Sequence, residues 1–201
     1  MDYAVKYGQE YVKVLMDNGA EIKEGIYEST LYHATTGASL TSVQYLIEHC
    51  GANVNNEWNG FNLLNGALNC SHLGFDDDWK EAERQNIAFY LIEKGADYRN
   101  NIYHQTSLLT HAAINDFVEL GKFLICNGVY IDEQDDFGNT ALHTAIDNSS
   151  YRVAKMLIQC GASLSLRNFN QQLTPFELCL DNDTNFRIDK AILVMYHLHQ
   201  M

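Results

Sequence analysis

Long hydrophobic runs and basic residues are scarce in this sequence. No stretch approaches the roughly 20 apolar residues that a helix needs to cross a bilayer, and the start Met1-Asp2-Tyr3 lacks the basic residues of a secretory signal. The chain has 13 basic and 26 acidic residues and a formal charge of −13, so it would repel phosphate backbones. We therefore expect a soluble chain with no membrane insertion and no direct binding to nucleic acid.

Close cysteine pairs are also missing. The five cysteines are spread along the chain, at Cys50, Cys70, Cys126, Cys160 and Cys179. An odd number of scattered cysteines favours free thiols in a reducing compartment over a disulfide framework or a zinc site. This predicts a cytoplasmic location.

Catalytic motifs are absent as well. The sequence has no Gly-x-Ser-x-Gly elbow, phosphate-binding glycine loop, His-Glu-x-x-His helix or kinase-like set of motifs. We predict a non-enzymatic protein with no catalytic residues, cofactor or metal site. An enzyme with its site in the acidic segment at residues 70–84 is a weaker alternative, because no nucleophile and base are arranged there.

What the chain does contain is a repeat that closes on a glycine. These glycines are Gly19, Gly51, Gly95, Gly128 and Gly161. Their separations are 32, 44, 33 and 33 residues, so a unit of about 33 residues with one insertion accounts for every gap. Each follows an apolar stripe, such as Val153, Met156 and Leu157, and can adopt the left-handed conformation that ends a helix.

A second motif begins a helix in each unit. It starts with a hydroxyl or amide side chain suited to a helix N-cap, at Ser29, Asn62, Ser107, Thr140 and Thr174. A large apolar residue follows two positions on and a small residue three positions later, as at Leu142 and Ala145, which makes one narrow apolar face. Helices this short are marginal alone, so they must stack on neighbouring units.

The two motifs together resemble the ankyrin repeat, whose Thr-Pro-Leu-His-x-Ala pattern starts one helix and whose Leu-Leu-x-x-Gly-Ala pattern ends the next. The clearest copy is Thr140 to Ala145 followed by Met156 to Ala162, and the resemblance covers roughly residues 1–199. It implies an all-α solenoid of helix pairs with short hairpin loops. It also implies that His143 makes a structural hydrogen bond to the backbone near the hairpin turn.

We predict a single ankyrin-repeat domain over residues 1–201, with about four full repeats between terminal caps. The predicted units are approximately 1–25 (partial or cap), 26–58, 59–102, 103–135, 136–169 and 170–201 (C-terminal cap). The predicted first helices are at about 29–36, 62–69, 107–114, 140–147 and 174–180, and the second helices end near Asp17, Glu48, Glu93, Ile125 and Gln159. The incomplete first unit is either a short cap or a sign that the chain was cut from a longer protein.

The third unit carries an insertion at residues 70–84. One interpretation is a solvated acidic loop with the second helix extended by a turn or two, so that Asp76 to Asp78 lie near its positive N-terminus. The other is a binding feature, because insertions in solenoids emerge on one face and often serve recognition.

Aromatic residues mark the candidate partner-binding surface. In the ankyrin family the hairpin loops and first helices line a concave face that binds proteins, so the resemblance implies the same use here. An aromatic residue precedes the starting motif by two to five positions in each unit, at Tyr27, Trp58, Tyr103, Phe137 and Phe169. This register places them near successive hairpin tips as candidate anchors. Alternatively, each packs against the next hairpin and is structural.

Acidic residues surround one of these aromatics, at Asp132, Glu133, Asp135 and Asp136. An acidic rim would steer a basic partner towards the surface. A solvated surface explains the same charges without a partner, so both interpretations stay open.

We therefore expect a monomeric protein–protein interaction module. Nineteen asparagines, twelve tyrosines and a single proline depart from the regular ankyrin pattern. They resemble the ankyrin proteins that intracellular bacteria or large viruses place in host cells, which favours a pathogen effector acting on a host protein in the host cytoplasm. The alternative is the targeting domain of a larger protein whose catalytic or signalling domain is absent from this chain.

Overall fold

The computed structural model describes residues 27–58, 60–68, 78–99 and 106–181. The predicted unit at 1–25, the first part of the insertion, Tyr103 and the predicted C-terminal capping helix after residue 181 lie outside the described residues. The chain divides into two compact units, residues 1–103 and 104–201.

The described part of the first unit contains two helix pairs and a short hairpin. Its elements are α1 (Tyr27–Thr36), α2 (Leu40–Glu48), β1 (Glu57–Trp58), β2 (Phe61–Asn62), α3 (Leu63–Leu68) and α4 (Asp78–Glu93). The strands are antiparallel, with Glu57 opposite Asn62 and Trp58 opposite Phe61. Helix α1 packs against α2 and α3, and α4 packs against both α2 and α3. Each helix pair therefore lies directly on the next.

The second unit repeats this arrangement. Its helices are α5 (Leu108–Ile114), α6 (Val118–Cys126), α7 (Ala141–Asp147), α8 (Tyr151–Gln159) and α9 (Pro175–Asp181). The first helices α5, α7 and α9 form one layer, with α7 in the middle, and the second helices α6 and α8 pack beside it. The predicted all-α ankyrin architecture of stacked helix pairs is confirmed.

The narrow apolar face predicted for the first helices is buried in α1, α3, α5 and α7 and half-buried in α9. Its buried large members are Leu31, Leu64, Leu109 and Leu142, and its buried small members are Ala34, Ala67, Ala112 and Ala145. Small residues let the helices approach closely. A Cβ added at Gly66 of α3 would lie 2.8 Å from Oγ1 of Thr35 in α1, so this contact leaves no room for a side chain.

Four of the five predicted N-caps are confirmed by side-chain oxygens that accept backbone N–H groups of the first turn. The acceptors are Asn62, Ser107, Thr140 and Thr174, and such a cap typically stabilises a helix by about 1 kcal/mol. The prediction for Ser29 was wrong. Helix α1 begins at Tyr27, so Ser29 lies inside its first turn, a displacement of the size by which helix ends commonly vary.

The second helices end as the glycine spacing predicts. Helices α2, α4 and α8 end at Glu48, Glu93 and Gln159, and α6 ends one residue past Ile125. The glycine after each has a positive φ: Gly51 (69°), Gly95 (93°), Gly128 (85°) and Gly161 (89°). A left-handed residue at this position lets the last free carbonyls of the helix be satisfied.

Helix α4 is longer than the other second helices. It has 16 residues, whereas α2, α6 and α8 have nine each, so residues 78–84 of the predicted insertion are helical. Its buried Arg84 donates at 3.2 Å to the carbonyls of Ala67 and Thr36. These carbonyls lie at the negative ends of α3 and α1. The guanidinium therefore fixes α4 across two repeats.

Asp116 makes a similar connection in the second unit. It lies in the turn between α5 and α6 with a φ of 54°. Its Oδ1 accepts the N–H of Val153 at 2.9 Å, and its Oδ2 lies 2.7 Å from Nε of Arg152. The carboxylate thus caps α8 of the following repeat, whose own N-cap residue Ser150 makes no side-chain capping bond among the described residues.

Candidate partner-binding surface

Phe137 and Phe169 lie at neighbouring hairpin tips of the second unit and are both exposed. The exposed fractions are 56% for Phe137 and 58% for Phe169. The N–H of Phe169 donates to the carbonyl of Phe137 at 2.7 Å, so the two backbones are in direct contact. We call this pair the phenylalanine tip.

The other predicted aromatics are placed differently. Tyr27 is the first residue of α1 and does not lie in a hairpin loop, because α1 begins two residues before the predicted cap. Trp58 is the last residue of β1 and so lies in a hairpin, as its register predicted. Tyr103 is outside the described residues.

The ring of Phe169 rests against the backbone of the neighbouring hairpin. Gly138 has a φ of 76°, and a Cβ built there would lie 2.6 Å from Cγ and from the backbone nitrogen of Phe169. Only glycine meets both conditions without strain, because it tolerates a positive φ and has no Cβ. Packing thus holds one side of the Phe169 ring.

The turn that carries Phe137 is closed by Asp135. Its Oδ1 accepts the N–H of Phe137 at 2.9 Å and the N–H of Asn139 at 2.8 Å. The amide of Gln134 donates to the carbonyl of Gly138 at 2.6 Å and to that of Arg167 at 3.1 Å. An aspartate that bonds its own backbone two residues on is a standard way to fix a turn. Phe137 is therefore held in place through its backbone.

The next hairpin uses Asn168 in the same way. Its Oδ1 accepts the N–H of Leu173 at 3.0 Å and the N–H of Gln171 at 3.3 Å, and its Nδ2 donates to Asn139 at 3.1 Å. Asn168 is buried, and sequence reasoning missed it. The available signal was its register, since Asp135 and Asn168 each lie seven residues after a closing glycine.

The four predicted rim acids divide into two kinds. Asp132 and Asp135 both accept structural hydrogen bonds. Oδ1 of Asp132 accepts the N–H of Ser163 in the next repeat at 2.8 Å, and Asp135 closes its own turn as described above. Asp136 is exposed and Glu133 is half-buried. Residues 130–139 include no lysine or arginine, so this hairpin is negatively charged along its length.

The basic residue on the adjacent hairpin, Arg167, is already paired. Its two terminal nitrogens lie 2.7 Å and 2.9 Å from the two carboxylate oxygens of Glu177, and it also donates to the carbonyl of Gln172. The N–H of Thr174, and then Arg167, lower the pKa of Glu177 below its ordinary value. Because Glu177 balances Arg167, that arginine does not neutralise the acids of the first hairpin.

His143 lies beneath these hairpins and makes the predicted structural bonds. Its Nδ1 accepts the N–H of Thr140 at 3.1 Å, which leaves Nε2 to carry the proton and donate to the carbonyl of Leu173 at 3.1 Å. Burial lowers the pKa of His143, while the bond to Leu173 opposes that shift. The ring is thus a fixed structural link between two repeats.

In the part of the chain that the structure describes, no three His, Cys, Asp or Glu side chains lie close enough to hold a metal ion. Among the same residues, no helix is both long and apolar enough to cross a membrane. Cys50, Cys126, Cys160 and Cys179 form no disulfide bond within the described part of the chain.

A model of three ankyrin repeats matches residues 79–168. This span is a little under half of the chain and extends from α4 to the residue before Phe169. It contains Phe137 and the four rim acids.

The similar proteins come from several sources. The mouse palmitoyltransferase ZDHHC13 is 40% identical over 77 residues, which are 38% of this chain and 12% of that protein. A putative ankyrin repeat protein of Rickettsia bellii is 44% identical over 57 residues, 27% of this chain and 23% of that protein. The fowlpox virus putative ankyrin repeat protein FPV031 is 28% identical over 111 residues, 54% of this chain and 32% of that protein. The chain spans less than a third of the length of each of these three relatives.

The match to the palmitoyltransferase covers too little of that enzyme to transfer its activity. The Rickettsia and fowlpox virus relatives are both named as putative ankyrin repeat proteins. The matched family model over residues 79–168, the register of the caps and glycines, and the stacked helix pairs support a divergent member of the ankyrin-repeat family.

Proposed function

We propose that this chain is a non-enzymatic protein-interaction module whose partner contacts the phenylalanine tip and the adjoining first helices of the second unit. The observation that carries the proposal is the exposure of Phe137 and Phe169 on backbones that are fixed by hydrogen bonds. Exposed apolar side chains on a rigid support mark interaction sites more often than scattered ones do, and rigid anchors lose little entropy on binding.

The energy available at the tip is sufficient for a hot spot. An aromatic side chain has about 150–250 Å² to bury, and slightly more than half of each ring is exposed. Covering this area at about 25 cal/mol per Å² would contribute about 2–3 kcal/mol per ring before ordering costs. That is the range in which a few residues dominate an interface.

The partner's surface is proposed to be basic. The chain has a formal charge of −13, and residues 130–139 include four carboxylates and no lysine or arginine. Complementary charge speeds association more than it adds to affinity. We propose that the partner is a host protein in the cytoplasm and that this chain is a pathogen effector acting there as a monomer. The similarity to the Rickettsia and fowlpox virus proteins supports this origin.

The alternative is the targeting domain of a larger protein. The observation in its favour is the match to a short stretch of a palmitoyltransferase, of which this chain spans 12%. A segment similar to this chain therefore occurs within a longer protein. In that case the partner-binding surface would be the same, but its role would be to deliver another domain to the partner.

The test begins with capture of partners from host-cell lysate on the immobilised chain, with each candidate then purified. Binding of the purified partner is compared for the parent, for Phe137→Ala with Phe169→Ala, and for Tyr151→Ala. Tyr151 is an exposed aromatic at the start of α8 and serves as the matched control. We expect the double substitution to weaken binding by at least about 2 kcal/mol, with unchanged circular dichroism. Equal affinity for all three proteins would exclude the tip as the binding surface.

A further inference from the structure

We infer that the phenylalanine tip receives an arginine side chain of the partner, with the guanidinium over the exposed rings and the acids of residues 132–136 as its counter-charge. This inference rests on the proposed function, because it names the chemistry that the same surface recognises. It is carried by the joint placement of Phe137, Phe169 and the acids of the first hairpin.

The rings provide faces for a flat cation. The Phe169 ring lies against Gly138 on one side and is 58% exposed overall, and Phe137 is 56% exposed beside it. The bond between their backbones and the bonds of Asp135 hold both residues in place. A cation over an aromatic face within about 6 Å of its centre is attracted by the ring quadrupole.

Among the described residues, no lysine or arginine forms an ion pair with the carboxylates of this hairpin. Asp136 is adjacent to Phe137 in sequence and exposed, and Glu133 lies on the same hairpin. Asp132 and Asp135 use Oδ1 for their structural bonds within the described residues, so their charge remains in the hairpin. The neighbouring Arg167 is held by both oxygens of Glu177, so it is not the cation that pairs with the carboxylates of the first hairpin.

These features favour arginine over lysine. A guanidinium is planar and weakly hydrated, so it can stack on a ring while its edge donates to a carboxylate. A lysine ammonium is compact and strongly hydrated, and would gain only the general attraction of the acidic hairpin. Flat rings beside carboxylates therefore distinguish the two cations, whereas carboxylates alone would not.

The test uses three capped tetrapeptides as probes: Arg-Gly-Arg-Gly, Lys-Gly-Lys-Gly and the same peptide with neutral citrulline in place of arginine. Each is titrated into the full ¹⁵N-labelled chain while the amide signals of Gly138 and Phe169 are followed by NMR. We expect saturable shifts for the arginine peptide, a Kd at least threefold higher for the lysine peptide, and no saturation for citrulline. Equal Kd values for arginine and lysine would overturn the inference.

Substitutions identify the site. Phe137→Leu keeps an apolar side chain without a ring and leaves the contact between Phe169 and Gly138 intact, so this variant should fold, as a circular dichroism melt checks. We expect it to reduce the arginine preference at least twofold, whereas the control Tyr151→Leu keeps it. Asp136→Asn with Glu133→Gln should weaken both cationic peptides. An arginine preference that survives Phe137→Leu would contradict the inference.

The two proposals can fail separately. If the partner still requires Phe137 and Phe169 but the peptides show no arginine preference, the interaction surface stands and the arginine inference falls. If the preference is present and depends on Phe137 while the partner binds the Ala variants normally, the tip is a guanidinium site and the proposed function falls.

Discussion

His143 donates a hydrogen bond from Nε2 to the carbonyl of Leu173, 3.1 Å away and 30 residues along the chain. The opposite ring nitrogen accepts the N–H of Thr140 at the start of the histidine's own helix. One buried side chain therefore caps α7 and ties it to the hairpin that carries Phe169. Any movement of that hairpin relative to α7 would leave these polar groups unpaired.

Replacing His143 by alanine should lower the free energy of unfolding by about 2–4 kcal/mol. The change leaves the Leu173 carbonyl without its bond and creates a cavity, and each of these effects costs about 1–3 kcal/mol. Urea unfolding followed by circular dichroism measures the loss. The control is Thr144→Ala at the next, half-buried position, which should change stability by less than about 1 kcal/mol. Similar small effects for both variants would show that the link is dispensable.

His111 should make the fold sensitive to acid. Burial lowers its pKa from 6.5 to about 4, and its buried Nε2 has no hydrogen-bond partner among the described residues. As the pH falls below 6.5, the unfolded state takes up the proton first, so the folded state loses stability until the pH reaches about 4. The loss from this residue is at most about 3 kcal/mol. Above pH 6.5, the pKa of the unfolded state, His111 makes a constant contribution to the free energy of unfolding.

The matched variant for this prediction is His111→Leu, which cannot titrate. We expect its unfolding free energy to fall less than that of the parent between about pH 7 and about pH 4.5. Glu48 and Glu177 have lowered pKa values and lose their stabilisation at lower pH. Both proteins contain them, so their contributions cancel in the difference. Parallel curves for parent and variant would contradict the prediction.

Sequence reasoning identified the features that depend on local chemistry. The caps at Ser107 and Thr140 and the left-handed glycines at Gly128 and Gly161 follow from residue type and spacing. The sequence did not reveal that Asn168 closes a hairpin or that Asp116 caps α8. Those roles depend on contacts between residues that lie in different repeats or in irregular turns, and residue type alone does not specify such partners.

At the phenylalanine tip, too, the sequence predicted the position of the residues but not the contacts between them. Register predicted that Phe137 and Phe169 lie near hairpin tips, but their direct backbone bond depends on Gly138 having no Cβ. Sequence alone also grouped Asp132 and Asp135 with the surface acids. Their structural bonds became clear only once the turn geometry was known.

Gly138 and Gln172 provide a paired test of backbone strain in the two hairpins. Both have a positive φ, 76° for Gly138 and 57° for Gln172. A side chain in this region costs about 1–2 kcal/mol. Gln172→Gly should therefore raise the free energy of unfolding by up to about 1 kcal/mol, after loss of the exposed bond from its side chain to the carbonyl of Phe169.

The reverse change, Gly138→Ala, should destabilise the second unit by at least about 2 kcal/mol. It adds the same backbone strain and also places a Cβ 2.6 Å from the ring and backbone nitrogen of Phe169. Thermal unfolding of both variants beside the parent measures the two effects. If the two substitutions shifted stability in the same direction, strain at these turns would not explain either result.

The acids of the first hairpin should speed association with a basic partner. Lysine substitutions would be a poor test, because Asp132 and Asp135 accept backbone N–H groups that hold the hairpins together. The appropriate variant combines Asp132→Asn, Glu133→Gln, Asp135→Asn and Asp136→Asn, since an amide oxygen can still accept those bonds. This change removes four negative charges with the turn intact.

We expect this variant to associate several-fold more slowly than the parent at about 50 mM salt and at nearly the same rate at about 500 mM, because salt screens charges beyond a few ångströms. Dissociation should change less, since contacts at the phenylalanine tip persist. Surface plasmon resonance separates the two rates. Asp147→Asn, at an exposed carboxylate that ends α7, controls for a general loss of charge. If the parent's association rate were independent of salt, or if the control slowed association as much as the fourfold variant, these acids would not steer the partner.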